Sequence, residues 1–462
     1  MKRRNFIKMT SLLGLETINR FGSLNGVANA RTNADVDGPL WLFIHLSGGC
    51  DFTLLCDPKG SETGLNRFFS ENQIIAPGQD GNTSAFHVPP YLSDIGQGVL
   101  YGPEVFFRQY GSMIFGLNGL DYQITAHPLG TMACWSGNAL KRTPSFGALL
   151  SAIKGHGLAL PYLSHGGYDF TDGLVVKSNL GNFSEFAAIS YPNIRNPGSI
   201  DGDSTPSKIE QMATYHPKDV LDLIFQNTRN QCAREPGSVN LRQVREKMLE
   251  FCKVSENSGA LSAIFQRLLR EPDVDGNLGN SLYTQGKQAL VSYLLGYTKC
   301  ANLLIGGFDT HNDNDEGQTV SIAKALYGVH LILQEAKKLG FVKTNQEGQI
   351  TEIHNLNIVI GSDFGRTAYN AGDGKDHRSI GSMLFIGQDF PKGKLIGYTD
   401  TENRPGKLDP SSLLPAGSET TEALHLNIGH VHKALRYLAG IDKEKELSRY
   451  EINEPLLPIF ER

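Results

Sequence analysis

Short runs of apolar, β-branched and aromatic residues punctuate the chain at Leu40–Leu46, Met113–Leu117, Leu158–Leu163, Ala301–Ile305, Asn357–Ile360 and Met383–Ile386. Each is about one strand long. Between them lie longer stretches in which apolar residues return every three to four positions: Leu241–Leu269, Leu282–Leu295, Ile322–Leu339 and Thr420–Leu438. That spacing predicts helices with one buried face. Strands that alternate with helices predict an α/β fold, a mostly parallel sheet covered on both faces.

The remaining stretches read as connections and insertions. Ser61–Tyr110 is rich in Gly, Pro, Asn and Gln and is expected to run over the surface. The irregular stretch Ser190–Ser207 leads into Lys208–Tyr297, expected to be a helical insertion set against the sheet, with Arg242, Arg245, Glu246, Lys247 and Glu250 on a solvated face. Gly387–Gly417 reads as a long surface loop before the last helix. There the pattern is interrupted by Gly429 and His430, and His425, His430 and His432 read as solvated or dipole-related. His45, inside the first apolar run, reads as a core residue, and His165, just beyond the third, has the address of a pocket residue.

At the amino terminus Lys2-Arg3-Arg4-Asn5-Phe6 resembles a twin-arginine export signal, and Ala28-Asn29-Ala30 suggests cleavage before Arg31. The expected organisation is a signal over 1–30 and one α/β domain over 31–462, with the 208–297 insertion inside it. No apolar run approaches the roughly 18 residues that cross a bilayer, so no stable membrane anchor is expected. The formal charge is −5, and loss of residues 1–30 removes five basic residues and one acid, leaving −9. With no Lys/Arg-rich stripe, nucleic acid is not expected as a partner. The six cysteines form no CxxC pair and define neither a disulfide scaffold nor a zinc site.

The chemistry is written by position. Three apolar runs are followed at once by glycine and then by acidic or imidazole groups: Leu46-Ser47-Gly48-Gly49-Cys50-Asp51, Ile305-Gly306-Gly307-Phe308-Asp309-Thr310-His311 and Ile360-Gly361-Ser362-Asp363-Phe364-Gly365-Arg366. In an open parallel sheet ligands bind beyond the carboxyl ends of the strands, so these groups should gather on one edge. Asp376-His377-Arg378, just before the last run, adds a fourth cluster. Ionised carboxylates crowded into one pocket raise one another's pKa values, and a divalent cation removes that conflict. Mixed carboxylate and imidazole donors suit zinc or manganese, while the acidic half alone would suit calcium or magnesium. For each motif taken alone, an Asx-turn or a helix N-cap is the commoner role of such an Asp, and it is the repetition of the motif that favours ligands.

These motifs, in this order behind a twin-arginine signal, resemble a bacterial family catalogued as domain of unknown function 1501, related to alkaline phosphatases and sulfatases. The resemblance implies an alkaline-phosphatase-like three-layer sandwich and a site for two metals. One would be held by Asp309, His311 and His377, the other by Asp51 and Asp363. It implies in-line displacement on phosphorus or sulfur, with Arg366 and Arg378 binding the non-bridging oxygens.

Two departures stand out. Phe364 occupies the place of a metal-binding His. In the run Thr125–Gly137, His127-Pro128 stands where a nucleophilic hydroxyl is expected. Thr131, a water on the metal, or His127 as general base or further ligand are the alternatives, as is a His127-Pro128 pair that only starts a helix. The leading expectation is a periplasmic or secreted metal-dependent hydrolase acting on a small-molecule or polymer ester of phosphate or sulfate. A phosphomutase or headgroup transferase would use the same site. The rival is a non-catalytic exported binding or assembly protein that keeps the fold with or without one structural cation; the twin-arginine export machinery is an expected partner on either reading.

Overall fold

The structure is a computed structural model that describes residues 38–155, 160–179, 273–294, 296–417 and 422–461, with Leu158, Thr420 and scattered positions between 193 and 230. The segment read as an export signal and the helical pattern Leu241–Leu269 lie outside the described residues. No helix among the described residues is long and apolar enough to cross a membrane.

The strands that frame the site are β1 (Leu40–Leu46), β2 (Ile114–Asp121), β3 (Tyr162–Ser164), β4 (Lys177–Ser178), β5 (Cys300–Ile305), β6 (Leu356–Ser362), the hairpin β7 (Gly365–Tyr369) and β8 (Lys375–Arg378), then β9 (Ile380–Gly387) and β10 (Lys394–Ile396); two further two-stranded pairs, Ser93–Asp94 with Leu100–Tyr101 and Val342–Thr344 with Ile350–Ile353, stand apart. The eight numbered strands outside the hairpin join one sheet in the order β10-β2-β9-β6-β1-β5-β3-β4. Every neighbouring pair is parallel except the two made by β9, so the sheet is mostly parallel and, among these described strands, β9 alone runs backwards. The carboxyl ends of β1, β2, β5 and β6 therefore open on one edge, where β9 begins.

Each side of the sheet is covered. In β1 every residue is buried, and alternation sends Leu40, Leu42, Ile44 and Leu46 into one apolar cluster and Trp41 and Phe43 into another. The first cluster is completed by α1 (Pro103–Tyr110), α4 (Ser281–Leu294) and α5 (Asn314–Lys338). The second is completed by α2 (His127–Ser136), α3 (Phe146–Lys154) and α6 (Ile428–Leu438). The result is an α/β fold with helices on both faces. His45, by the same alternation, faces the α2 side and meets the Trp135 ring edge-on at 5.9 Å.

Several expectations are corrected. Ser61–Tyr110 does not merely run over the surface: Phe86, Phe106, Phe107 and Tyr110 are each at most 1% exposed and belong to the first cluster. Their aromatic bulk, not the surrounding polar composition, decides the path. Helix α4, the end of the expected insertion, packs into that cluster and covers the sheet. Strand β10 forms within the stretch read as a loop. The last helix begins at Ile428 rather than Thr420, because Asn427 accepts from the His430 amide and donates its own amide to His430 Nδ1. His430 thus belongs to a cap. His432, read as solvated, is buried and lies 2.8 Å from the Cys134 carbonyl through Nε2.

Candidate metal centre

Four chain segments deliver the site. Beyond β1, Gly48 and Gly49 adopt positive φ of 118° and 89°, and both need the absence of a side chain. A Cβ on Gly48 would strike the Asp309 amide, and one on Gly49 would lie 2.7 Å from the Phe364 ring. This close approach brings the ends of β1, β5 and β6 together. Asp309 and His311 follow β5, Asp363 follows β6, His127 opens α2 after β2, and His377 sits on β8.

Three imidazoles face one carboxylate oxygen. Nε2 of His127, His311 and His377 lie 3.5, 3.2 and 3.6 Å from Asp309 Oδ1. The other ring nitrogen of each is already committed to an acceptor. His377 Nδ1 is 2.7 Å from the Thr125 carbonyl, His127 Nδ1 is 2.6 Å from Asp363 Oδ2, and His311 Nδ1 is 3.2 Å from Asp376 Oδ1. An Nδ1 that donates leaves Nε2 of a neutral ring with its lone pair exposed. Burial holds His377 below the usual imidazole range, the Thr125 carbonyl opposing this, and His127, Arg366 and His311 lower it further. Yet His377 Nε2 and His311 Nε2 stand 3.0 Å apart. Two lone pairs at that distance repel unless a proton or a cation lies between them.

The donor set fits a cation. One ligand atom each from His127, Asp309 and His377 lie within 4.8 Å of one another, and His311 flanks Asp309 and His377. Tetrahedral zinc with bonds of about 2.0–2.1 Å has ligand-to-ligand edges of about 3.3 Å, close to the three distances from the imidazoles to Asp309 Oδ1. Burial by itself raises the Asp309 carboxyl, but the hydrogen bond from Arg366 and the charges of His127, Arg366 and His311 hold it below the usual range, ionised and able to bind. Phe364, fully buried, lays its ring against His377 at 4.4 Å and His127 at 4.8 Å, an apolar wall in place of a fourth imidazole.

The expected second metal set does not assemble. Asp51 is sealed in the interior, where Oδ2 accepts from Lys375 Nζ at 2.6 Å and Asn314 Nδ2 at 3.0 Å, and Oδ1 accepts from the Thr53 amide and hydroxyl. Its counterion is the Lys375 ammonium. Asp363 likewise has no free oxygen. His45 Nε2 lies 2.6 Å from Oδ1, Thr131 Oγ1 donates to Oδ1 at 3.1 Å, and Oδ2 takes His127 and the Gly48 amide at 3.3 Å. Burial alone raises the Asp363 carboxyl, and the hydrogen bonds and charges of His45 and His127 outweigh it and bring it below the usual range. Asp363 thus orients His127 rather than facing the Asp309 group.

Of the two arginines, Arg366 is corrected. Arg366 is 1% exposed and its guanidinium is spent on the carbonyls of Gly48, Gly49, Phe308 and Lys375 and on Asp309, so the fork is not free for a substrate oxyanion. Arg378, opposite Gly365 in the hairpin, keeps an Nε without a hydrogen-bond partner among the described residues. Thr131 Oγ1 shares its one proton between the His127 carbonyl at 2.8 Å and Asp363 Oδ1 at 3.1 Å, and His127-Pro128 does start a helix; that placement is what aims His127 at the site. His165 keeps a buried Nε2 without a partner among the described residues, and burial pushes it down to about 4. His45 was not legible as a site residue: it sits in an unbroken apolar run, and only its alternation onto the α2 face hints at the contact.

Comparisons with known proteins add little. No family model matches the chain, and no curated protein matches it. Among solved structures, one described as "Crystal structure of Ps i-CgsB" aligns at 9% identity over 92% of this chain and 76% of that chain, with a TM-score of 0.31. A likeness of that size carries no argument about fold or function.

Proposed function

We propose that this chain is a metal-dependent hydrolase of phosphate or sulfate esters that uses one divalent transition-metal ion, zinc or manganese, held by His127, Asp309 and His377. The observation that supports it is the convergence of imidazoles, with Nδ1 of His127 and His377 against acceptors and Nε2 turned in toward the Asp309 carboxylate. A cation bound there supplies Lewis-acid polarisation of an ester oxygen and a lowered pKa for water.

The chain's own residues prepare that chemistry. Asp363 and the Thr125 carbonyl fix the rings of His127 and His377, Arg366 aims and ionises Asp309, and Phe364 keeps water from one side. His311, half-exposed and oriented by Asp376, stands where an imidazole can pass a proton to or from a substrate. The alkaline-phosphatase-like character of the sandwich and export through a twin-arginine signal belong to the same proposal.

One observation favours a second reading. If His311 joins the other three donors the ion is fully coordinated, and with Arg366 internally satisfied the protein would be a binding or assembly protein stabilised by one structural cation. Elemental mass spectrometry of the purified chain and of Asp309→Ala, followed by turnover assays with aryl phosphate mono- and diesters and aryl sulfates, separates these outcomes. One equivalent of metal and turnover, both lost in Asp309→Ala, supports the hydrolase. One equivalent with no turnover of any ester supports the structural reading. No metal in the wild type overturns both.

A further inference from the structure

Behind His127 the buried polar groups continue inward. Trp135 Nε1 donates to His45 Nδ1 at 3.0 Å, and His45 Nε2 lies 2.6 Å from Asp363 Oδ1, whose other oxygen faces His127 Nδ1 at 2.6 Å. Trp135, His45 and Asp363 are 3%, 2% and 2% exposed. We infer that Trp135, His45 and Asp363 form a positioning chain that fixes His127 in the one tautomer able to bind a cation. The inference rests on the cation reading above.

The direction of the chain follows from what each group can do. An indole N–H only donates, so His45 Nδ1 has to accept and a neutral His45 carries its proton on Nε2, the atom 2.6 Å from Asp363 Oδ1. The carboxylate accepts from Thr131, the Gly48 amide and His127, and His45 Nε2 stands against Oδ1 at 2.6 Å as an ion-pair contact without aligned hydrogen-bond geometry. It can satisfy His127 only by accepting Nδ1–H, which leaves the Nε2 lone pair directed at the site. Because the three residues are buried, water cannot exchange for any of them. His127 and Trp135 stand on the same helix, α2, so one rigid element carries both ends of the chain. A ligand imidazole held through its far nitrogen by a carboxylate is a familiar way to orient and strengthen a metal ligand. Here the orientation is traced two residues further, to an indole.

The directionality gives a test that packing alone cannot imitate. In Asp363→Asn the carbonyl is needed by both the His127 and Gly48 N–H groups, so the amide NH2 turns toward His45. His45 Nε2 would then have to accept and Nδ1 to carry the proton, which collides with the Trp135 N–H. Trp135→Phe removes that N–H and lets His45 change tautomer, while Thr131 accepts the amide N–H and turns its own proton fully to the His127 carbonyl.

The experiment is a Co(II) titration of the full, metal-stripped chain, with affinity from competition against a chromophoric chelator and coordination from the visible absorption bands. The wild type should bind one equivalent. Asp363→Asn and His45→Phe should bind about 10–100-fold more weakly with altered bands, and His45→Gln, which can still offer an amide N–H to Asp363, should retain most of the affinity. Adding Trp135→Phe to Asp363→Asn should recover affinity, although Trp135→Phe alone gives none. Should Asp363→Asn fail to fold, the contrast between His45→Phe and His45→Gln decides. Equal affinity and unchanged bands in all variants, with the wild type binding, would overturn the chain alone, as would a double variant no better than Asp363→Asn. Absence of binding by the wild type would overturn the cation reading and this inference with it.

Discussion

Replacing Lys375 by methionine is the sharpest single perturbation of this structure. The side chains of Asp51 and Lys375 are 1% and 0% exposed, and among the described residues the ammonium is the only charged donor within hydrogen-bond reach of the carboxylate; Asn314 and Thr53 supply the rest. Removing one member of a buried pair leaves an uncompensated charge, at a cost of about 3–5 kcal/mol. The Leu65 carbonyl also loses its donor. In the double variant Asp51→Asn/Lys375→Met no charge remains, the substituted amide can still accept from Thr53, and about 2 kcal/mol or more of the loss should return as coupling. Urea unfolding at pH 7 can be followed through the two tryptophans, Trp41 and Trp135, both buried. The same proteins report on cation content: Asp51→Asn should bind as much metal as the wild type, since Asp51 lies outside the donor set. An unchanged unfolding midpoint for Lys375→Met, or loss of a metal equivalent in Asp51→Asn, would refute the assignment of Asp51 to an internal ion pair.

Three further outcomes are expected. Arg366→Lys cannot reproduce a fork that meets four carbonyls and Asp309, so it should lose about 2 kcal/mol or more in urea unfolding and weaken metal binding; wild-type behaviour in both would show the fork to be dispensable. His165, His330 and His432 are pushed by burial to about 4, about 4 and about 3, below the unfolded value near 6.5. The unfolded chain therefore takes up protons first as the pH falls, and the stability present above about pH 6.5 should be lost progressively toward pH 4; a urea midpoint independent of pH over that range would contradict it. Cys50, Cys56, Cys134 and Cys300 are buried with thiols raised by burial, so alkylation of the native protein, read by peptide mass spectrometry, should leave all four unmodified.

The parts of the fold legible beforehand share a cause. Strands β1, β5 and β6 match the apolar runs Leu40–Leu46, Ala301–Ile305 and Asn357–Ile360 within two residues, because a strand covered on both faces is mostly apolar along its length. The hairpin that carries His377 was invisible for the opposite reason. Lys375-Asp376-His377-Arg378 is a polar strand outside the sheet, paired by main-chain bonds that leave no mark on composition.

The sequence by itself determined the α/β alternation and the placing of Asp309, His311 and Asp363 just past strand ends, because burial and chain direction are local properties of a run and its neighbours. Which of those groups face one another was decided only by tertiary structure. Asp51 and Asp363 have equivalent addresses, yet one meets Lys375 from 324 positions away and the other meets His127 and His45. A carboxylate in the interior takes whatever donor the packing brings within about 3 Å, and that partner lies elsewhere in the chain.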